Sequence, residues 1–516
     1  MRALLLVLLR VVPSTASLAP LVSATHWSPC YFLNPSLPCL WDGASTLYEM
    51  GTKSIKLVLS SAVNSTYPWN SDWTSQLRGV TDLASLAQTP YYDAVFRGRG
   101  AGGDAGGGWN FSTFDLITYR VAAGGEWCVS FTPDDAIIEE REFAGLTAHF
   151  LRAFSGTEKT FLLEHWEGDW AARCGSYDGT KPADPRVQAR MVAWLAARQR
   201  GVDSARAAWC EARNAADSAA PALDCSNGRA IHAAAGVTVL HASEVNLVLS
   251  SMESGFPNNI LEVVPKVALD ALSYSSYDTQ WLNPQFADAL DFIASHHNRT
   301  TASPPAAVWV AEYGLALNDD PYPSDALALY QHVIATALTP SPVTGAPRAF
   351  ATFAWELFDN EHAKSVRFPG ERCTAATGPE FDASQLRGFW LRAPNGSASP
   401  GWTYLASLAT GASSPPPPPS PPSTPCTYEP DTDMQGTAGD SATALTAAAC
   451  CATCRGDLRC AAATYANGVC ERKFGGGGVR VPKQGATLCV ARGGVAVAAA
   501  DKESERWNPL DPIAAK

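Results

Sequence analysis

Seven short apolar stretches lie between residues 54 and 355, at 54–59, 114–119, 160–165, 237–242, 271–276, 308–312 and 349–355. Each reads as a buried strand, and an eighth, weaker one falls near 26–33. Between them run segments with helical periodicity. Residues 139–154 set Phe143, Leu146, Phe150 and Phe154 on one stripe, and 186–209 carry Met191, Trp194 and Leu195. Residues 324–338 start with a capping Ser324 after Pro323 and show Leu327, Tyr330 and Ile334. Strands separated by helices of this length pair in parallel through right-handed crossovers. Eight such units favour a closed (β/α)8 TIM barrel, an α/β fold, over an open sheet. No early G-x-G-x-x-G supports a dinucleotide fold, and the glycine run at 98–108 precedes a strand and reads as a loop.

The chain has 516 residues, enough for a second, smaller domain. Composition changes at 413, where SSPPPPPSPPSTP (413–425) forms a polyproline II spacer. Residues 426–489 hold Cys426, Cys450, Cys451, Cys454, Cys460, Cys470 and Cys489, so disulfides are expected to replace a core too small to form alone. Without a histidine or a second C-x-x-C pair, a zinc site at Cys451–Cys454 is not favoured, and neither metal nor cofactor is expected. Residues 490–516 read as a disordered tail. Seven further cysteines precede the linker, where Cys30 and Cys39 flank a proline-rich loop that a small disulfide ring could close. Seven on each side imply a free thiol or a bridge between domains.

The N-terminus has Arg2, a seven-residue apolar run and small residues at Ser14-Thr15-Ala16 and Val22-Ser23-Ala24. It reads as a signal peptide over 1–24, which places the barrel at 25–412. With fourteen cysteines and N-x-S/T sequons at Asn64, Asn110, Asn298 and Asn395, secretion is expected. A net charge of −12 without basic runs excludes nucleic acid and anionic membrane surfaces as natural partners, and no stretch has the length of a membrane span.

The chemistry concentrates where two strands end. Residues 159–170, KTFLLEHWEGDW, deliver Glu164, His165, Trp166, Glu167, Asp169 and Trp170 to one rim, and 308–314, VWVAEYG, deliver Glu312. Two carboxyl groups beside tryptophans fit hydrolysis of a glycosidic bond, with one protonated acid and one ionised partner. In a regular strand Glu164 and Glu167 face opposite sides, so either one is the proton donor unless a bulge intervenes. Gly168 permits a sharp turn after Glu167. The segment HASEVN sets His241, Glu244 and Asn246 near the same rim. There His241 reads as a core residue and Glu244 as a helix cap or ion-pair partner.

With VAEYG, SYSSYD (273–278) and FAWELFDNE (353–361) in place, residues 26–410 resemble the retaining glycoside hydrolases of clan A. That resemblance implies Glu312 as nucleophile, Glu167 as acid/base with Glu164 as the alternative, and a carbohydrate substrate. It further implies that Tyr274 or Tyr277 hydrogen-bonds the nucleophile and that Trp355 forms a sugar platform. The clan usually has asparagine before its acid/base; here Trp166 takes that place, and a bulge would let His165 assume the polar role. The small domain resembles the PAN/Apple module, which implies a glycan or cell-wall protein as its partner. The rival expectation is a catalytically silent barrel serving adhesion.

Overall fold

The computed structural model describes residues 18–99, 108–122, 127–216, 221–318, 323–362, 373, 382–412, 427–435, 439–443, 447–457, 460–466, 469–474 and 479–490. Eight parallel strands form the barrel: β1 (Val22–Ala24), β2 (Ser54–Leu59), β3 (Thr113–Thr118), β4 (Lys159–Glu164), β5 (Val237–Val245), β6 (Ala271–Ser275), β7 (Val308–Tyr313) and β8 (Thr352–Ala354). Each of β2 to β8 pairs with its sequence neighbour, and β1 pairs with β8 in the register Val22 to Thr352. A parallel bridge from Thr25 to Lys56 draws the ring shut between β1 and β2.

The expected strands hold to within a few residues except the first. It lies at 22–24, not 26–33, because Trp27 and its neighbours already form the barrel mouth. β1 therefore falls inside the span expected to be a leader, and the Lys53 amide donates to the Ala19 carbonyl at 2.7 Å. A leader cut at residue 24 would remove a barrel strand. Cleavage is expected ahead of Leu18, at the Ser14-Thr15-Ala16 site; residues 1–17 lie outside the described residues. Amino-terminal sequencing of the mature protein checks this, and a start at Thr25 would contradict the β1–β8 pairing.

Helices surround the ring, among them Pro133–Ala153, Pro185–Ala216, Gln285–His296 and Pro323–Leu338. Their apolar stripes bury Phe143, Leu146, Phe150, Met191, Trp194 and Leu195 against the outward side chains of the strands, including Phe114, Phe161, Val239 and Val310. Inside the ring, Leu162, Leu240, Ala242, Trp309, Ala311 and Phe353 form an apolar plug. Two residues further along several strands the same inward phase carries charge, at Glu164 and Glu244, and above that lie Trp27, Val58, Ile117, Trp166 and Trp355. Apolar floor, ionic layer and aromatic rim thus follow from the two-residue period of the strands.

A second sheet is antiparallel, in the order β10 (Gly439–Thr443), β12 (Val469–Phe474), β11 (Cys460–Ala466), β13 (Val479–Val490) and β9 (Thr427–Gln435). The helix Ala447–Gly456 is tied to three of its strands or their ends by Cys450–Cys470, Cys451–Cys489 and Cys454–Cys460. This is the disulfide-rich α+β module expected from composition. Cys426, the linker at 413–425 and the tail beyond residue 490 lie outside the described residues. In the barrel, Cys30 pairs with Cys373, not Cys39. Cys39 opens the helix Cys39–Met50 and is a buried free thiol. Two more bridges, Cys128–Cys174 and Cys210–Cys225, join cysteines whose spacing in the chain gives no hint of a pair.

Candidate active site

Glu312 owes its direction to an irregularity. Alternation along β7 points Trp309 and Ala311 into the barrel and Val308 and Val310 out, which would leave Glu312 facing the helices. The register against β6 shifts by one residue between the Tyr274–Val310 and Ser275–Glu312 pairs, and a shift also occurs against β8. That bulge turns Glu312 inward after Ala311. Its carboxylate accepts the Trp166 indole Nε1–H at 2.8 Å and lies 3.7 Å from Lys56 Nζ. Burial pushes its pKa up to about 7, against the opposing pull of Lys56 and Trp166.

β4 ends at Glu164, so the regular alternation that would set Glu164 against Glu167 stops there. Glu164 points into the barrel and pairs with Lys56 Nζ at 2.7 Å, with both side chains fully buried. It belongs to the ionic layer under the mouth, which weakens its claim as proton donor. Glu167 adopts a left-handed backbone at φ 47° and caps the short helix Gly168–Ala171. The Tyr177 hydroxyl donates to its Oε2 at 3.4 Å. The sharp conformation sits on Glu167 itself. Gly168 serves a close approach instead, since a Cβ there would lie 2.2 Å from the Glu244 carbonyl oxygen.

The other expected site residues divide. Trp166 stacks on Trp355 at 6.5 Å and meets Trp27 edge-on at 4.5 Å, so three tryptophans rim the mouth beside Glu312. Tyr277 packs edge-on against Phe389 at 6.4 Å, and burial, then Glu312, Glu167, Glu361 and Glu356, all raise its pKa. Trp170 packs on Tyr177 at 5.1 Å, on the flank of Glu167. Tyr274 does not reach Glu312. It points outward with the even phase of β6, bonding Asp278 and, at 2.6 Å, Thr279. His165 likewise faces the helices, with Nε2 2.9 Å from Ser243 Oγ, and burial lowers its pKa to about 3. No polar role at the mouth is open to it. Asn246 exchanges hydrogen bonds with Asp169, donating its amide to Oδ2 at 2.8 Å and accepting the Asp169 amide at 3.2 Å. It braces the loop rather than facing the cleft. His241 is a buried core residue, with Nδ1 3.0 Å from Gln199 Oε1 and no hydrogen-bond partner at Nε2.

Sequence reasoning misses Lys56, Asp115 and Ser275, and it gives Glu244 a different part. Glu244 neither caps a helix nor pairs with one; its Oε2 accepts the Glu167 amide at 2.5 Å. Asp115 accepts the Trp309 indole N–H at 2.9 Å. Asp115, Glu164, Glu244 and Glu312 thus act electrostatically on one buried cation, Lys56. Burial alone would lower the Lys56 pKa, but the four carboxyl groups together raise it well above its ordinary value. Burial pushes the pKa of Asp115 and of Glu244 well above the ordinary carboxylate range, against the opposing pull of Lys56. A lone lysine at an inward position of an apolar strand, SIKLVL, is the available signal.

Among the described residues no helix is long and apolar enough to cross a membrane. All four sequon asparagines are exposed. No family model matches the chain, and no curated protein matches it in sequence. Among solved structures it is similar to a GH5_18 variant from Streptomyces cattleya in complex with Manβ1-4GlcNAc, at 11% identity over 78% of this chain and 83% of that one, TM-score 0.43. It is also similar to a GH5_18 protein from Bifidobacterium longum subsp. longum (10% identity, 78% and 82% covered, TM-score 0.42). A third is endo-glycoceramidase II from Rhodococcus sp. (10% identity, 92% and 98% covered, TM-score 0.37). Likeness at this level goes no further than a loose outline of the fold.

Proposed function

We propose that this protein is a secreted glycoside hydrolase that cleaves a β-linked poly- or oligosaccharide by a retaining two-glutamate mechanism, with Glu312 as nucleophile and Glu167 as acid/base. The observation that carries this is the wiring of the mouth. Trp166 donates to Glu312, the very next residue is the left-handed Glu167, and Tyr277 stands within the field of both carboxyl groups. Ionised Glu312 attacks the anomeric carbon while Glu167 gives its proton to the departing oxygen. Glu167 then takes a proton from the water that releases the sugar from Glu312. Lys56 and the Trp166 N–H favour the ionised nucleophile, and Trp27, Trp166 and Trp355 pack on one another beside it, each almost fully buried.

The disulfides and the exposed sequons support an extracellular location. The helix-on-sheet module with its three bridges fits the PAN/Apple-like domain, whose partner would be a glycan or a cell-wall protein. Hydrolysis of a glycan panel followed by proton NMR of the first product tests the enzyme reading. The expected result is release of a β-anomer that mutarotates afterwards; an initial α-anomer would exclude double displacement, and no release from any β-glycan would favour an adhesive barrel.

A further inference from the structure

The turn that aims Glu167 is not self-supporting. A glutamate at φ 47° occupies a region that side chains other than glycine, asparagine and aspartate seldom adopt, at a cost of about 1 kcal/mol or more. Something must hold it, and the holder lies at the end of β5. The Glu244 carboxyl accepts the Glu167 amide N–H through Oε2, and its other oxygen, Oε1, is bonded by the Ser275 hydroxyl. Ser275 in turn sits in register with Glu312 across β6 and β7. One fully buried side chain therefore connects the backbone of one glutamate to the strand pair that carries the other.

Next to it the Asp169 carboxylate accepts the amides of Asn246 and Asn259 at 2.8 Å and of Leu247 at 3.1 Å. The loop is thus bolted to the end of β5 at its first and third residues. Asp169 fixes where the loop lies, whereas Glu244 holds the backbone N–H of the residue whose side chain must reach the glycosidic oxygen.

We propose that Glu244 is a positioning residue for Glu167, setting the direction of its carboxyl by holding its amide. This rests on the assignment of Glu167 as acid/base. Because Glu244 touches no reacting atom, its loss acts through the two proton transfers of Glu167, of which kcat/KM reports the first, protonation of the leaving group. A misplaced proton donor costs about 10²-fold when the leaving group is poor. It costs little when the leaving group departs unprotonated.

The test compares two aryl glycosides of the sugar released in the glycan panel, one with a phenyl and one with a 2,4-dinitrophenyl leaving group. E244A is expected to lower kcat/KM about 10²-fold on the phenyl glycoside and less than about 3-fold on the dinitrophenyl one. E244Q, whose amide oxygen can still accept the Glu167 N–H, restores most of the loss. E167Q serves as reference and shows the same leaving-group dependence in stronger form. Equal losses on both substrates in E244A, or none on either, would overturn the proposal. Should E244A not fold, E244D, whose shorter side chain draws the carboxyl away from the Glu167 N–H, carries the same expectation in weaker form, about 10-fold on the phenyl glycoside alone. If E167Q itself shows no dependence on the leaving group, the acid/base assignment falls and takes this proposal with it. If E167Q shows it and E244A and E244D do not, only the role of Glu244 is wrong.

Discussion

Glu312→Gln is expected to abolish turnover, with kcat/KM falling on the order of 10⁴-fold or more, while the thermal midpoint stays unchanged or rises. The amide cannot form a glycosyl ester, so double displacement has no first step. The fold loses nothing, because the amide oxygen that replaces the carboxylate still accepts the Trp166 indole N–H now held at 2.8 Å. A buried carboxyl whose pKa stands near 7 costs stability when ionised, and the neutral amide removes that cost above neutral pH. Steady-state kinetics and a thermal melt at pH 8 check both halves. More than a tenth of the wild-type rate in this variant would remove Glu312 from the chemistry.

Lys56→Met should be the most damaging single change for stability, at about 3–5 kcal/mol, since it strips the cation from a buried pair with Glu164 at 2.7 Å. Methionine nearly fills the volume, so lost packing is a small part of the effect. The pH dependence separates charge from packing. Glu312 has a folded pKa raised from 4.5 to about 7, so its contribution to stability is fully present below about 4.5 and is lost as pH rises through about 7. Without Lys56 that folded value climbs further and the loss deepens. The difference in thermal midpoint between variant and wild type should therefore be largest above pH 7 and shrink toward pH 5. In residual activity, the acid limb of kcat/KM should move upward by about one unit or more. A melting difference that ignores pH would mean that Lys56 acts by packing alone.

Much of the barrel can be read from the chain because its signals are local. Apolar runs such as SIKLVL and FLLE carry their own boundaries, and the stripe Phe143–Leu146–Phe150 declares a helix face. The site is legible in which residues meet and poorly legible in which way they point. Period-two alternation sets Glu164 and Glu167 on opposite sides without saying which points inward, and it cannot reveal that β4 stops at Glu164 or that β7 bulges at Ala311, since both depend on neighbouring strands. Hence sequence reasoning assigns His165 and Tyr274 to a mouth they face away from. Lys56 escapes notice because a lysine in a strand is ordinarily a solvated edge residue; only the closed ring makes it a central charge. Cys30 passes over a cysteine nine positions away for one at 373, a choice that proximity in sequence does not suggest.

That last choice bears on how the protein is made. The strand pairing of β1 is with β8, and the bridge from Cys30 spans 343 residues, so the ring cannot be sealed until nearly the whole barrel has left the ribosome. Through that interval Cys30 stays an unpaired thiol close along the chain to Cys39, which has no disulfide partner among the described residues. Early oxidation would join the wrong two sulfurs and keep β1 from its edge. Production therefore calls for a compartment that reshuffles bridges after synthesis, and a host supplying only an oxidant should yield open, aggregation-prone barrels.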